Sequence, residues 1–225
     1  IHAGQGHTMP ELPEVETRVR QLRAPCVGRS IRNTHIGWPR QIDRPSPSVF
    51  TKRICGQRIT EVRRRGKFLV FQLSEDALLF HLRMSGDLYV TAESTTVDKY
   101  AHTILTLDNF QQLRFSDPRK FGRVYLVRAA EEITARLGPE PLSKRFTSNR
   151  FASSLAKRKR MLKPLLLDQS FLAGMGNIYT DEALHLAGIH PVTRSDMLTP
   201  AQARLLWRSL RRVLRDGIQN NGASI

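Results

Sequence analysis

Gly138-Pro139-Glu140-Pro141 sets two prolines within three positions, and proline fixes φ and lacks an amide hydrogen, so neither a helix nor a central strand runs through such a stretch. The chain is therefore expected to divide there. From about Ile31 to Val127 it carries short runs rich in branched and aromatic residues. Lys67-Phe68-Leu69-Val70-Phe71-Gln72-Leu73 and Ala77-Leu78-Leu79-Phe80-His81-Leu82 are parted by Ser74-Glu75-Asp76, and runs follow at His102 to Leu107, Gln112 to Phe115 and Arg123 to Val127, with Asp108-Asn109 as a turn. Short strands at this spacing predict an antiparallel sandwich or barrel. Beyond the prolines the pattern turns helical. It ends in a helix capped by Thr199 ahead of Pro200, with Leu206, Leu210, Val213 and Leu214 as one apolar stripe and Arg204, Arg208, Arg211, Arg212 and Arg215 as a basic side.

Charge narrows the partner. Lysine and arginine total 36 against 20 acidic residues, a net +16, which points to a polyanion, most simply nucleic acid, ahead of an anionic membrane surface. The 22 cations and 14 acids before Gly138, and the 14 and 6 from it onward, give each half +8, which suits a ligand that both halves touch. No apolar run approaches the roughly 18 residues that span a bilayer, and the charged start does not resemble a secretory signal. The expected compartment is the cytoplasm. Cys26 and Cys55 are the two cysteines; without Cys-x-x-Cys spacing they predict neither a metal site nor a disulfide, and read as isolated buried thiols.

Met9-Pro10-Glu11-Leu12-Pro13-Glu14-Val15-Glu16-Thr17 carries two readings. Proline at the first helical position with acids in the first turn is an ordinary helix start, and Val15, Val19 and Leu22 extend a helix from about Pro13 to Arg23. That accounts for Pro13, Glu14 and Glu16 but not for Pro10 and Glu11. If Met9 is removed, Pro10 becomes a terminal secondary amine, partly unprotonated near neutral pH and able to attack an aldehyde-like sugar carbon, with Glu11 beside it to trade protons.

Four further stretches are chemically suggestive. Arg63-Arg64-Arg65-Gly66-Lys67 leads into a strand, so its turn could present cations to phosphates, with Lys67 turned into a cleft. His81-Leu82-Arg83-Met84-Ser85-Gly86 and Ser116-Asp117-Pro118-Arg119-Lys120-Phe121-Gly122 each set a bulky side chain near a glycine, as loop tips that wedge between base pairs do. Taken singly, Met84 and Phe121 read as core residues. Lys157-Arg158-Lys159-Arg160-Met161-Leu162-Lys163-Pro164 is a second basic run, and Gly174-Met175-Gly176-Asn177 predicts a helix start whose free amides could take a phosphate, or simply a glycine turn with an asparagine cap.

In their order along the chain, Pro-Glu-Leu-Pro-Glu-Val-Glu-Thr, Arg-Arg-Arg-x-Lys, His-Leu-x-Met-Ser-Gly, Asp-Pro-Arg-x-Phe-Gly and Gly-x-Gly-Asn-Ile-Tyr resemble the formamidopyrimidine-DNA glycosylases from Met9 to Ile225. Leu12 favours this branch over the related endonuclease VIII group, which more often has glycine there. The resemblance implies an α+β protein: an N-terminal helix and antiparallel β-sandwich over residues 10–137, a hinge over 138–146, and a helical domain with a helix-two-turns-helix element over 147–225. It implies a monomeric, bacterial-type base-excision-repair enzyme of the nucleoid that removes 8-oxoguanine and formamidopyrimidines from duplex DNA and nicks the abasic strand by β- and δ-elimination. The alternatives are an oxidised-pyrimidine glycosylase of the endonuclease VIII type, or a damaged-DNA binder without catalysis.

By that resemblance Pro10 is the Schiff-base nucleophile at the deoxyribose C1′, Glu11 its acid-base partner, and Lys67 holds a phosphate beside them. Met84, Arg119 and Phe121 fill the gap left by the flipped nucleotide, with Arg119 facing the orphaned base. Arg158, Lys163 and Asn177 hold phosphates. Three departures stand out. Residues 1–9 read as an extension or tag remnant, and while they remain attached Pro10 is a tertiary amide without a nucleophilic lone pair. The family's C-terminal four-cysteine zinc finger, with its structural zinc ion, is not among these residues, which encode no cofactor and no metal site. Tyr100-Ala101-His102 stands where many members have two histidines, leaving Tyr100 and His102 as weak DNA-contact candidates.

Overall fold

A computed structural model describes residues 9–222; most of the extension read at the amino terminus and the last three residues of the chain lie outside them. The chain forms two compact units, one comprising Arg18–Thr134 with Pro10, the other Glu11–Thr17 with Ala135 onward. Helix α1 (Leu12–Cys26) gives residues to both. It is longer than the predicted 13–23, because Val19, Leu22 and Cys26 continue one fully covered stripe to its last residue.

In the first unit α1 is followed by β1 (Ile31–Ile36), β2 (Ile42–Arg44), helix α2 (Pro47–Ile54), then β3 (Ile59–Arg65), β4 (Phe68–Leu73), β5 (Ala77–His81), β6 (Asp87–Ala92), β7 (Ala101–Leu107), β8 (Gln111–Ser116), β9 (Arg123–Val127) and helix α3 (Glu131–Thr134). The strands make two sheets, β1-β7-β8-β6 and β2-β9-β5-β4-β3. The expected antiparallel pattern holds except at β2, which runs parallel to β9. Strand β4 is apolar on both faces because both are covered. Leu69 and Phe71 lie on one face, where Phe71, Phe80 and Phe115 meet edge to face at 5.6 and 5.5 Å; Val70 packs on the other with Leu79, Tyr125, Val127 and Ala130. Gly66, at φ +57, closes the β3–β4 turn and leaves Lys67 as the residue before β4.

The second unit holds helices α4 (Ser148–Ala156), α5 (Leu162–Leu167), α6 (Asn177–Leu186) and α7 (Pro200–Gln219) around a core of Leu12, Phe151, Leu165, Met175, Leu184, Leu206, Leu210 and Leu214. Helix α7 opens on a capping box between Thr199 and Gln202. Its basic side differs from expectation at Arg211, which is 9 % exposed. The guanidinium donates to the carbonyls of Pro141 (2.6 Å), Ser143 (3.1 Å) and Leu142 (3.3 Å) and lies over the Trp207 ring. The Ser143 carbonyl also accepts from the Phe146 N–H at 3.2 Å, and Arg211 adds donors along the proline-broken segment, which forms no helix or strand.

Candidate functional site

The N-cap of helix α6 is a glycine, Gly176, which has no side chain to cap it. The carboxylate of Glu11 takes that place. It is 2 % exposed and accepts from the backbone N–H of Ile178 at 2.9 Å and of Tyr179 at 3.4 Å, where the positive end of the helix dipole favours negative charge. The Glu11 backbone N–H donates to Glu14 Oε2 at 2.9 Å, and the Tyr179 hydroxyl donates to Glu14 Oε1 at 2.8 Å. Two glycines make room for this seat. A Cβ on Gly176 would fall 2.2 Å from Glu11 Cδ, and one on Gly174, whose φ is +88, would fall 2.9 Å from Leu12 Cβ. The Leu12 N–H donates to the Gly174 carbonyl at 3.0 Å.

The helix start that Gly174-Met175-Gly176-Asn177 predicts is present, and two details of it change. The Ile178 and Tyr179 amides are occupied by a carboxylate rather than free for a phosphate, and Asn177 is the exposed first residue of α6, not its cap. The site joins two motifs more than 160 residues apart in the chain. Pro10, half-buried, immediately precedes Glu11.

In the first unit the wedge-like loops are on display. Met84 is 39 % exposed and Phe121 46 %, so neither is the core residue it resembles in isolation. The Arg119 guanidinium stacks over the Phe121 ring at 4.9 Å. Lys67 is buried. Its charge reaches His81, whose imidazole is held down to about 3 by burial first, then by the Arg83 and Lys67 cations. Neutral His81 accepts at Nδ1 from the Arg83 N–H (3.1 Å) at the base of the Met84 loop.

Tyr100 is exposed, with Lys99 Nζ 4.9 Å above its ring. His102 is covered, at 8 % exposure, and burial with the Lys120 charge lowers its pKa; of the two weak candidates it is the less available to a ligand. Sequence reasoning passed over Trp38, whose ring has Lys120 Nζ at 5.7 Å and the Arg123 guanidinium at 5.8 Å. Such cation–π contacts are ordinary in proteins, and their members here are too far apart in sequence to be read together.

In the second unit Arg158 is exposed, and with Lys157 it lines an open pocket that includes Phe146, Phe151 and Phe171. Lys163 is ion-paired to Asp181 at 2.8 Å. Arg160 is paired to Asp168 at 2.7 Å, and the Ser170 hydroxyl, then Arg160, hold that carboxyl at about 2. Among the described residues no three His, Cys, Asp or Glu side chains gather as a metal site. Cys26 is buried, its thiol pushed up to about 12, while Cys55 is half-buried rather than covered.

Comparison with known proteins gives the same answer for both units. The model of the formamidopyrimidine-DNA glycosylase N-terminal domain matches residues 9–124, and that of the formamidopyrimidine-DNA glycosylase H2TH domain matches 137–225. A formamidopyrimidine-DNA glycosylase of Protochlamydia amoebophila is 44% identical over 219 residues, covering 96% of this chain and 79% of that protein. The Lactococcus lactis formamidopyrimidine-DNA glycosylase non-covalently bound to DNA with an AP site superposes with a TM-score of 0.89 at 34% identity, covering 96% of this chain and 83% of that one. The same enzyme with Fapy-dG DNA gives 0.89 and 34%, covering 96% and 82%.

Proposed function

The chain belongs to the formamidopyrimidine-DNA glycosylase family, and from that premise we propose that Pro10 and Glu11 carry its chemistry. The protein is a DNA glycosylase for oxidised purines with abasic-site lyase activity, and damaged DNA is its partner. The observation that carries the assignment of residues is the Glu11 carboxylate fixed at the start of α6, one residue after Pro10. A carboxylate held by two backbone donors keeps one geometry, which proton transfer requires.

With its nitrogen as the free amino terminus, Pro10 attacks C1′ of the damaged nucleotide. The N–C1′ bond forms as the bond to the base breaks, and the departing base takes a proton. Transfer of the Pro10 N–H proton to the Glu11 carboxylate and opening of the sugar ring at C1′–O4′ then leave an iminium, with Glu11 passing that proton on to the ring oxygen. The iminium acidifies C2′. Loss of that proton expels the 3′ phosphate, and a second elimination expels the 5′ phosphate. Because excision needs the nucleotide out of the stack, Met84, Arg119 and Phe121 fill the space it leaves, with Arg119 toward the orphaned base. Lys67, Arg158, Lys163 and Asn177 hold phosphates, Lys163 exchanging Asp181 for one, and Tyr100 and His102 add minor contacts. We assign the catalytic domain to residues 10–137, the hinge to 138–146 and the helical domain to 147–225, in a monomer working in the cytoplasm.

The test is Pro10→Gly in protein confirmed by mass to begin at residue 10, on duplexes carrying 8-oxoguanine or oxidised thymine. Base release and nicking are expected to fall together, by about a hundredfold or more, with the parent favouring 8-oxoguanine. Unchanged release, or release without nicking in the parent, would sink the assignment of Pro10.

A further inference from the structure

Asp117 is fully buried, yet its carboxylate serves no proposed chemical step. Oδ1 accepts from the Ser85 hydroxyl at 2.5 Å and the Arg119 N–H at 3.3 Å; Oδ2 accepts from the Gly122 N–H at 2.6 Å. The Arg119 N–H also reaches Ser85 Oγ at 3.3 Å. Ser85 follows Met84 in one loop, whereas Arg119 and Gly122 bracket Phe121 in the other, so one carboxylate and one hydroxyl tie the two displayed loops together.

The packing beneath them supports the tie. The Phe115 ring lies against both loop-closing glycines: a Cβ on Gly86 would meet Phe115 Cε2 at 2.7 Å, and one on Gly122 would meet Cζ at 2.4 Å. Each loop also holds a non-glycine residue in the left-handed region, Arg83 at φ 58 and Lys120 at φ 59, a conformation that persists only where surrounding contacts fix it. His81 Nδ1 anchors the far side of the Met84 loop through the Arg83 N–H.

We propose that Asp117, acting through Ser85, is a positioning residue that makes Met84, Arg119 and Phe121 one rigid wedge, so that filling the stack and reading the opposite base occur together. The inference rests on the wedge role given above to those three residues. With the bridge cut, Met84 and Arg119 settle independently. An arginine that is no longer indexed against the stack loses its discrimination between opposite bases before it loses its charge.

Ser85→Ala cuts the bridge with the least disturbance, Ser85→Thr restores the hydroxyl, and Asp117→Asn keeps the shape while removing one acceptor. Binding is measured by fluorescence anisotropy to duplexes with a tetrahydrofuran abasic analogue opposite cytosine or adenine, and to undamaged duplex, alongside thermal unfolding. This readout does not depend on Pro10 being a nucleophile. S85A and D117N are expected to weaken abasic-duplex binding about tenfold and to bring the cytosine-to-adenine affinity ratio toward one, while undamaged-duplex binding stays put and S85T returns the ratio. A ratio equal to the parent's in both variants overturns the proposal. So does an equal loss on all three duplexes accompanied by a fall in Tm, which would make Asp117 merely structural. A parent with no preference for the abasic analogue over undamaged duplex would instead sink the wedge reading itself.

Discussion

Replacing Gly176 with alanine isolates the seat of Glu11 from everything else in the second unit. The backbone at Gly176, φ −135 and ψ −167, is extended and open to any residue, so the perturbation is purely one of space. The new methyl would lie 2.2 Å from Glu11 Cδ, 2.3 Å from Oε1 and 2.6 Å from Cγ. Relief needs a shift of about 1 Å or more, which takes the 2.9 Å bond from Ile178 out of hydrogen-bonding range. Losing a buried hydrogen bond to a charged group and overpacking the site together cost about 3 kcal/mol, or about 6–12 °C in Tm for a chain of this size. A displaced acid-base group costs about a hundredfold in rate. The assay pairs thermal unfolding with single-turnover excision of 8-oxoguanine, using Glu11→Gln as the benchmark for a seat that is filled by an amide in place of the carboxyl group. G176A turning over within twofold of the parent would refute the link between this seat and catalysis, whatever happened to its Tm.

Two further outcomes follow from other sites. Arg211→Met strips donors from three carbonyls of the proline-broken segment and is expected to cost about 2–4 kcal/mol in urea unfolding, whereas Arg204→Ala, exposed on the same helix, should stay within about 0.5 kcal/mol; equal effects would remove the role given to Arg211. His81, held to about 3 against an ordinary 6.5, is neutral in folded and unfolded chains above pH 6.5. Below that the unfolded chain takes up a proton that the folded chain refuses until about pH 3, so stability falls as pH falls across the window. H81Q is expected to flatten the decline of Tm from pH 6.5 downward, and a slope unchanged from the parent would show that the imidazole is not kept neutral by the fold.

Much of the architecture was legible because it is written in local pattern. Strands β4, β5, β7, β8 and β9 fall within a residue or two of their apolar runs, and Thr199-Pro200 opens α7 as its capping residues dictate. Helix α2 was not singled out, although Ser46-Pro47 with Phe50 and Ile54 buried four apart is a usable signal; its eight residues are hidden among strands. What sequence could not supply is who meets whom across the chain. The glycines at 174 and 176 look like a phosphate cradle until Glu11, 167 residues from Ile178, is seen to fill it. The arginine stripe of α7 reads as uniformly solvated because the carbonyls that bury Arg211 lie some 70 residues earlier. Asp117 passes for an ordinary turn residue because its partner Ser85 belongs to another motif.

The central claim, that Pro10 is the nucleophile, is tested most directly by reducing the reaction with borohydride on an 8-oxoguanine duplex and mapping the trapped crosslink by mass spectrometry, since reduction freezes the iminium as a stable amine. The adduct should lie on the Pro10 nitrogen of a peptide that begins there. An adduct on Lys67 or another lysine, or base release with no adduct at all, would assign the chemistry to a different residue.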